Sequence, residues 1–116
     1  MARISSSATK VSLGTLILAF VILAPSVRAQ DTVAGGSVYR KMCVTCHGPN
    51  GSGTQAGKAL GTHDLRSPAV QKMSDGELTD LIAKGKNKMP AYAATFKGAE
   101  IKDLVAYIRT LASKTK

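Results

Sequence analysis

The chain has two cysteines, and they stand two residues apart, directly before a histidine, in the stretch Cys43-Val44-Thr45-Cys46-His47. Four kinds of site use such a spacing: structural zinc, a thioredoxin-like redox pair, an inert disulfide and covalent haem attachment. A structural zinc ion takes four protein ligands, and this stretch supplies three with no second cysteine pair. A thioredoxin-like pair follows a strand in a βαβ unit, which the flanking sequence does not predict. A disulfide here would close a very small loop and leave the histidine unexplained.

Covalent haem attachment accounts for all three side chains. Each thiol can add to one vinyl group of a haem, and the adjacent histidine can then ligate the iron. A haem would also supply apolar surface to a chain that has no tryptophan and only 4% aromatic residues. Small domains bury proportionally little surface and usually need such reinforcement. The motif therefore predicts one covalent haem c with its iron, held at Cys43, Cys46 and His47.

Residues 1–29 have the features of a secretory signal peptide. A basic, Ser/Thr-rich start precedes an apolar run over residues 11–24, and the segment ends in small residues. An uncleaved membrane anchor is the alternative, but this run is shorter than the ~20 residues that span a bilayer. Cleavage after Ala29 would leave residues 30–116 as one monohaem domain, exported to the periplasm without stable membrane insertion.

The charge of the chain favours an anionic partner. Loss of the three basic residues in the predicted leader reduces the 16 basic residues to 13 against 7 acidic ones, so the formal net charge falls from +9 to +6. A basic surface attracts nucleic acid, anionic lipid or an acidic protein. Nucleic acid is a poor partner for an exported protein, so an acidic protein is expected. Lys84, Lys86 and Lys88 either place positive charge near the haem edge or form an ordinary solvated face.

The pattern of apolar residues is helical throughout the predicted domain. Residues 31–36 are expected to be an exposed start, residues 48–61 and 86–97 to be loops, and no segment alternates as a strand. Helices are predicted over 35–43, over 68–73, from the capping box of Ser74 and Glu77 to Gly85, and along the apolar face of Ile101, Leu104, Val105, Ile108 and Leu111. The sequence therefore predicts a small all-α domain of three to four helices around the haem.

A second ligand of the iron is predicted at Met89. This residue lies in an irregular segment of polar neighbours, where a methionine has little reason to be buried unless its sulfur binds something. Pro90 fixes the local backbone, so the side chain can be presented rigidly. The alternatives are weaker: Met42 directly precedes the motif, Met73 has a spacing suited to packing, and His63 lies in an exposed loop. A methionine that only fills a gap is the other interpretation of Met89.

With these residues the chain resembles the class I cytochromes c, in particular the short soluble bacterial and photosynthetic carriers. The resemblance covers about residues 33–112, and it rests on Gly35, Tyr39 and Cys43 in the first helix, on Leu104 and Tyr107 in the last, and on the Lys/Gly-rich segment 84–91 that ends in Met-Pro-Ala. It implies that the last helix crosses the first at the glycine. It also implies that Cys43 and Cys46 form the thioethers, with His47 proximal and Met89 distal.

The function implied by this resemblance is that of a soluble, monomeric one-electron carrier and not of an enzyme. With both axial positions filled, the iron can gain or lose an electron but does not readily bind substrate. The implied partners are acidic redox proteins such as a membrane oxidase, a reductase or a reaction-centre complex. Two alternatives stay open: a haem subunit docked in a larger oxidase or dehydrogenase, and a peroxidase-like enzyme with a displaceable Met89. The family's loop proline that accepts the proximal N–H is absent near Ala59, so the partner of His47 is left open.

Overall fold

A computed structural model describes residues 28–115, which form an all-α domain. The predicted leader lies outside the described residues except for Arg28 and Ala29, so its cleavage stays a prediction. Six α-helices occur in the described part: α1 Thr32–Met42, α2 Val44–His47, α3 Gln55–Ala59, α4 Pro68–Gln71, α5 Asp75–Lys84 and α6 Gly98–Leu111, followed by a 3-10 turn, Ala112–Thr115. An isolated bridge joins Lys86 and Met89, and no strand is present within residues 28–115. The predicted all-α class is thus confirmed, with one-turn helices added to three longer ones.

Helix α1 begins earlier than the sequence suggests. Asp31 is the N-cap, and its carboxylate accepts hydrogen bonds from the amides of Val33 and Ala34 at 2.9 and 3.0 Å. These bonds satisfy donors that the first turn of a helix leaves free. The expected exposed start over residues 31–36 is therefore wrong, because helix begins at Thr32 and Gly35 and Gly36 are buried.

Helices α1 and α6 cross at Gly35, as the resemblance implies. A Cβ atom at this position would overlap the backbone carbonyl of Asp103 and crowd the amide of Leu104. Glycine is therefore required by the close approach of the two backbones. Beside the crossing, the Asp103 side chain is buried. It accepts a hydrogen bond from the Asp31 amide at 2.8 Å and forms an ion pair with Arg28 at 3.0 Å.

The core lies where α6 meets α1 and α5. Its fully buried residues are Tyr39, Leu78, Ile82, Ile101, Leu104, Val105, Ile108 and Leu111. The predicted apolar face of α6 is confirmed in full. The predicted capping box is also present, since Ser74 receives the amide of Glu77 while Glu77 accepts from the amide of Ser74. In the described part of the chain this buried core holds one aromatic side chain, and five of its eight residues, Tyr39, Leu78, Ile82, Leu104 and Ile108, also line a cavity.

The segment 48–61 contains a short helix that the sequence analysis missed. Thr54 caps α3 by accepting the amide of Gly57 at 3.0 Å. The same hydroxyl donates to the carbonyl of Thr45 at 2.8 Å, which ties α3 to α2. A Cβ at Gly57 would overlap the carbonyl of Cys46, so the two helices touch through their backbones. This contact fixes the segment that follows the cysteine motif.

Candidate functional site

One turn of helix arranges the Cys-x-x-Cys-His motif. The amides of Cys46 and His47 both donate to the carbonyl of Cys43, at 3.2 and 2.9 Å. Both cysteines are half-buried free thiols, so the disulfide interpretation is not realised in the structure. Within residues 28–115 no group of three or more His, Cys, Asp or Glu side chains is arranged to hold a metal ion by itself. The two thiols and the imidazole are instead three neighbouring groups on one wall of a cavity.

Burial favours the neutral forms of Cys43 and His47 in the motif. Burial, assisted by the neighbouring Cys46, raises the pKa of the Cys43 thiol to about 11. Burial also lowers the pKa of His47, which keeps its imidazole in the neutral form that ligates metals. The ring nitrogen Nδ1 of His47 is buried and has no hydrogen-bond partner among the described residues. The structure thus supplies no carbonyl in place of the proline that the family uses.

The cavity has a volume of about 360 Å³ and reaches from the motif to the loop before α6. Its wall contains all four predicted site residues, Cys43, Cys46, His47 and Met89. Apolar side chains from helices α1, α4, α5 and α6 and from the loop before α4 complete it, including Tyr39, Leu65, Val70, Leu78, Ile82 and Leu104. These residues fit a haem, because the apolar wall matches a porphyrin face while the thiols and the imidazole can attach it. Bound there, a haem supplies an iron that exchanges one electron.

A tight loop presents Met89 to the cavity. The amide of Lys86 donates to the carbonyl of Met89 at 3.1 Å, and the amide of Met89 returns a bond to Lys86 at 2.9 Å. Asn87 adopts a left-handed conformation between them, with φ of 54°, which an asparagine tolerates better than most residues. After Pro90, the amide of Tyr92 donates to the carbonyl of Ile82 at 3.1 Å, so α5 anchors the loop.

Other possible iron ligands line the same cavity. Met42, Met73 and His63 contribute to the wall, as Met89 does. Met42 is 45% exposed and His63 lies in an exposed segment, whereas Met73 packs against the core. The cavity wall therefore carries four candidate second ligands, Met42, His63, Met73 and Met89.

Two aromatic residues of the site were not singled out as site residues by the sequence analysis. Tyr39 is fully buried on the cavity wall, and its hydroxyl donates to the carbonyl of Gly48 at 2.7 Å, just after the motif. Tyr92 lines the cavity from the other loop and stacks against Phe96, with ring centroids 5.6 Å apart. Their spacing from the motif and from Met89 was the available signal, since each lies within four residues of a predicted ligand.

The three alternating lysines occupy different environments. Lys86 and Lys88 are exposed and line the mouth of the cavity. Lys84 instead forms an exposed ion pair with Asp80 at 2.8 Å, four residues earlier on α5. The positive charge at the cavity therefore comes from two of the three residues that the sequence indicates.

An all-α shell around an apolar cavity with Cys-x-x-Cys-His on its wall defines a c-type cytochrome. The chain belongs to the cytochrome c family as a small monohaem member of the class I type, and its cofactor is covalently bound haem c with iron. A family model described as cytochrome c oxidase, cbb3-type, subunit III matches residues 30–108.

Relatives with known names support this membership. Cytochrome c6 of Thermostichus vulcanus is 32% identical over 98 residues, which cover 84% of this chain and 86% of the relative. Cytochrome c-555 of Methylococcus capsulatus is 36% identical over 109 residues, which cover 86% and 84%. The chain is thus similar over most of its length to named electron-carrier cytochromes.

Solved structures show the same fold. The c-type cytochrome KustC0563 superposes with a TM-score of 0.63 at 30% identity, covering 66% of this chain and 95% of that one. The c-type cytochrome XoxG from Methylobacterium extorquens AM1 gives a TM-score of 0.57 at 28% identity, covering 70% of this chain and 50% of that one. Among the helices of residues 28–115, none has the length and apolar character needed to cross a membrane.

Proposed function

We propose that this chain is a soluble one-electron carrier whose haem is linked to Cys43 and Cys46 and whose iron is ligated by His47 and Met89. One observation carries the proposal: Met89 and the Cys-x-x-Cys-His motif, which are far apart along the chain, line a single apolar cavity. An imidazole and a thioether would fill both axial positions, so the iron would exchange electrons without readily binding a substrate.

The protein's own residues would set the reduction potential of the haem iron. The apolar wall excludes water, and a low-dielectric surrounding disfavours the extra charge of the oxidised iron. Thioether ligation raises the reduction potential relative to a second imidazole. Both effects favour the reduced state, so a moderately positive potential is expected. With both axial positions filled, the protein would carry electrons and would not turn over a substrate of its own.

The proposed setting is the periplasm, where a monomeric carrier would meet membrane-bound redox complexes. The basic leader with its apolar run supports export, and the cleaved domain would carry a net positive charge. Lys86 and Lys88, exposed at the cavity mouth, would attract acidic surfaces of an oxidase, a reductase or a reaction-centre complex.

Replacing each cavity methionine in turn tests the ligand assignment. The holoprotein and its Met42→Leu, Met73→Leu and Met89→Leu variants are compared by absorption spectroscopy and redox titration. Only Met89→Leu should lose the weak red-end absorption band of a ligated thioether, lower the midpoint potential and admit cyanide or carbon monoxide quickly. The other two substitutions serve as matched controls, because both residues line the same cavity.

The same series separates the competing assignments. Loss of the band in Met73→Leu or Met42→Leu would move the ligand to that residue. A band absent from the unsubstituted protein, with rapid ligand binding, would instead support a peroxidase-like enzyme with an open iron. Persistence of the band in Met89→Leu contradicts the proposal outright.

A second candidate function is a haem subunit docked in a larger oxidase. The observation that favours it is the matching family model, which is described as a subunit of a cbb3-type oxidase. The two candidates differ in how the native protein behaves on isolation. A carrier is released as a free monomer from the periplasmic fraction, whereas a docked subunit copurifies with a membrane complex at fixed stoichiometry.

A further inference from the structure

Arg109, near the end of α6, holds the turn between α4 and α5. Its Nη1 donates to the carbonyl of Gln71 at 2.9 Å and its Nη2 to the carbonyl of Met73 at 2.5 Å. Its Nε and Nη2 also donate to Oδ1 of Asp75 at 3.0 and 2.8 Å. One guanidinium therefore contacts the last residue of α4, the connecting turn and the first residue of α5.

Gln71 returns the connection from the opposite direction. Its side-chain Nε2 donates to the carbonyl of Leu65 at 2.7 Å and to the carbonyl of Ile108 at 3.2 Å. Arg109 thus reaches from α6 to the turn, while Gln71 reaches from α4 back to α6. We call these two side chains the latch. Together they hydrogen-bond the backbone carbonyls of Leu65, Gln71 and Met73, around the short helix α4.

The latched segment forms part of the haem cavity. Leu65, Val70 and Met73 line the cavity, and so does Leu78 in the first half of α5. The carbonyls of Leu65, Gln71 and Met73 receive the latch's hydrogen bonds. The segment 65–73 thus faces the cavity with its apolar side chains and is fastened to α6 by its backbone. A four-residue helix such as α4 has little stability of its own, so its position depends on these bonds.

We propose that Arg109 and Gln71 are positioning residues that hold this wall against the haem and so limit access of water and external ligands to the iron. Neither side chain lines the cavity, so any effect on the iron passes through the wall. The proposal rests on the haem binding in this cavity, and it names the part of the chain that keeps the site closed.

The simpler interpretation is a surface ion pair between Arg109 and Asp75. The Asp75 side chain is 57% exposed, and exposed pairs contribute little because solvent screens them. Hydrogen bonds from a charged group to backbone carbonyls are stronger than neutral ones. The two interpretations therefore differ in which substitution matters: removing the carboxylate should be mild, whereas removing the guanidinium should loosen the wall.

The test uses the haem-loaded protein and four variants: Arg109→Gln, Arg109→Lys, Asp75→Asn and Lys102→Gln. Lys102 is an exposed cation on the same helix and controls for the loss of charge. Two quantities are measured: the rate at which imidazole binds the ferric iron, and hydrogen exchange of the amides of residues 70–73. Arg109→Gln should increase both rates about tenfold, the ratio that corresponds to losing one strong hydrogen bond. Arg109→Lys keeps the charge but not the fork, so it should resemble Arg109→Gln.

Asp75→Asn and Lys102→Gln should change either rate less than about twofold. Wild-type rates in Arg109→Gln would overturn the proposal, and so would an equal increase in Asp75→Asn. Lower resistance of Arg109→Gln to urea with both rates unchanged would show a purely structural role. If no side chain fills the second axial position, imidazole binding is fast in every variant, but hydrogen exchange still reports on the wall. The two failures are therefore distinguishable.

Discussion

At the scale of single residues, His47 lacks, among the described residues, the hydrogen bond that usually supports a ligand histidine. Its ring is held on the cavity wall by helix α2, and burial lowers its pKa. Its Nδ1 atom is buried without a partner in the described part of the chain. A ligand histidine usually donates its second N–H to a carbonyl or carboxylate, which raises its basicity. Here the apolar surroundings alone would keep the imidazole neutral.

Asp64 yields a residue-scale prediction about pH. Hydrogen bonds from the Arg66 guanidinium, at 2.9 and 2.8 Å, lower the pKa of this carboxyl from 3.8 to about 2. A depressed folded-state pKa contributes stability above pH 3.8 that is lost as the pH falls through about 2. Because the side chain is 38% exposed, we expect Asp64→Asn to cost less than about 1 kcal/mol near neutral pH.

Urea unfolding of the wild type and of Asp64→Asn, from neutral pH down to about 2, measures this difference. The gap in free energy of unfolding should close as the pH falls. The stability difference between the wild type and Arg66→Gln should close over the same pH range, because this substitution removes the main cause of the lowered pKa of Asp64. A gap that widens in acid contradicts the assignment.

At the scale of helices, the sequence predicts an element well when its signals are local. The capping box at Ser74 and the apolar face of α6 lie within a few residues of one another, and both appear as expected. Helix α3 was missed because it contains Gly57 in its middle, and glycine is a poor helix former. Its reasons are tertiary: Thr54 caps it and bonds to α2, and the glycine is needed for contact with Cys46.

The candidate site divides in the same way. The Cys-x-x-Cys-His motif is contiguous, so its chemistry could be predicted without a fold. The cavity wall could not, because Leu65, Val70 and Leu104 come from separate elements and show no shared pattern. The start of α1 was also missed, because its N-cap Asp31 is followed closely by Gly35 and Gly36, and glycine is a poor helix former.

The helix crossing yields a prediction of its own. In Gly35→Ala a methyl group would meet the backbone of Asp103, which cannot move aside as a side chain can. We expect the free energy of unfolding to fall by about 3 kcal/mol. The measurement is chemical denaturation of the haem-loaded protein.

Gly76→Ala is the matched control for this crossing. Gly76 lies in α5, and the nearest atom to an added Cβ would be 3.9 Å away. Alanine has the better helix propensity, so this variant should be unchanged or stabilised by up to about 1 kcal/mol. If both substitutions destabilise the protein equally, the effect comes from replacing a glycine within a helix and not from the helix crossing.

At the scale of the whole molecule, two lysines place positive charge beside the haem cavity. Lys86 and Lys88 are exposed at the mouth of the cavity. Replacing both by glutamine should slow oxidation by an acidic partner about tenfold at low salt, because opposite charges accelerate encounter. The difference should shrink as salt rises, since the screening length falls to ~10 Å at 0.1 M.

Stopped-flow oxidation by isolated membrane complexes at several ionic strengths measures this effect. Lys102→Gln removes one positive charge from a residue outside the cavity wall and should leave the rate nearly unchanged, whereas Lys86→Gln or Lys88→Gln alone should slow it. A wild-type rate that does not depend on salt would reduce the role of these lysines to solubility.

Because Asp103 pairs with Arg28, cleavage of the predicted leader would change the stability of the domain. Its side chain is 4% exposed and pairs with Arg28, which a cut after Ala29 would discard. The cut also creates an ammonium on Gln30, next to the residue whose amide already bonds to Asp103. The free ammonium can pair with Asp103 in place of Arg28. Acetylating that new terminus removes its charge and should therefore lower the melting temperature of the processed protein. Cleavage after Ala29 would thus replace one cation by another at the junction of the first and last helices.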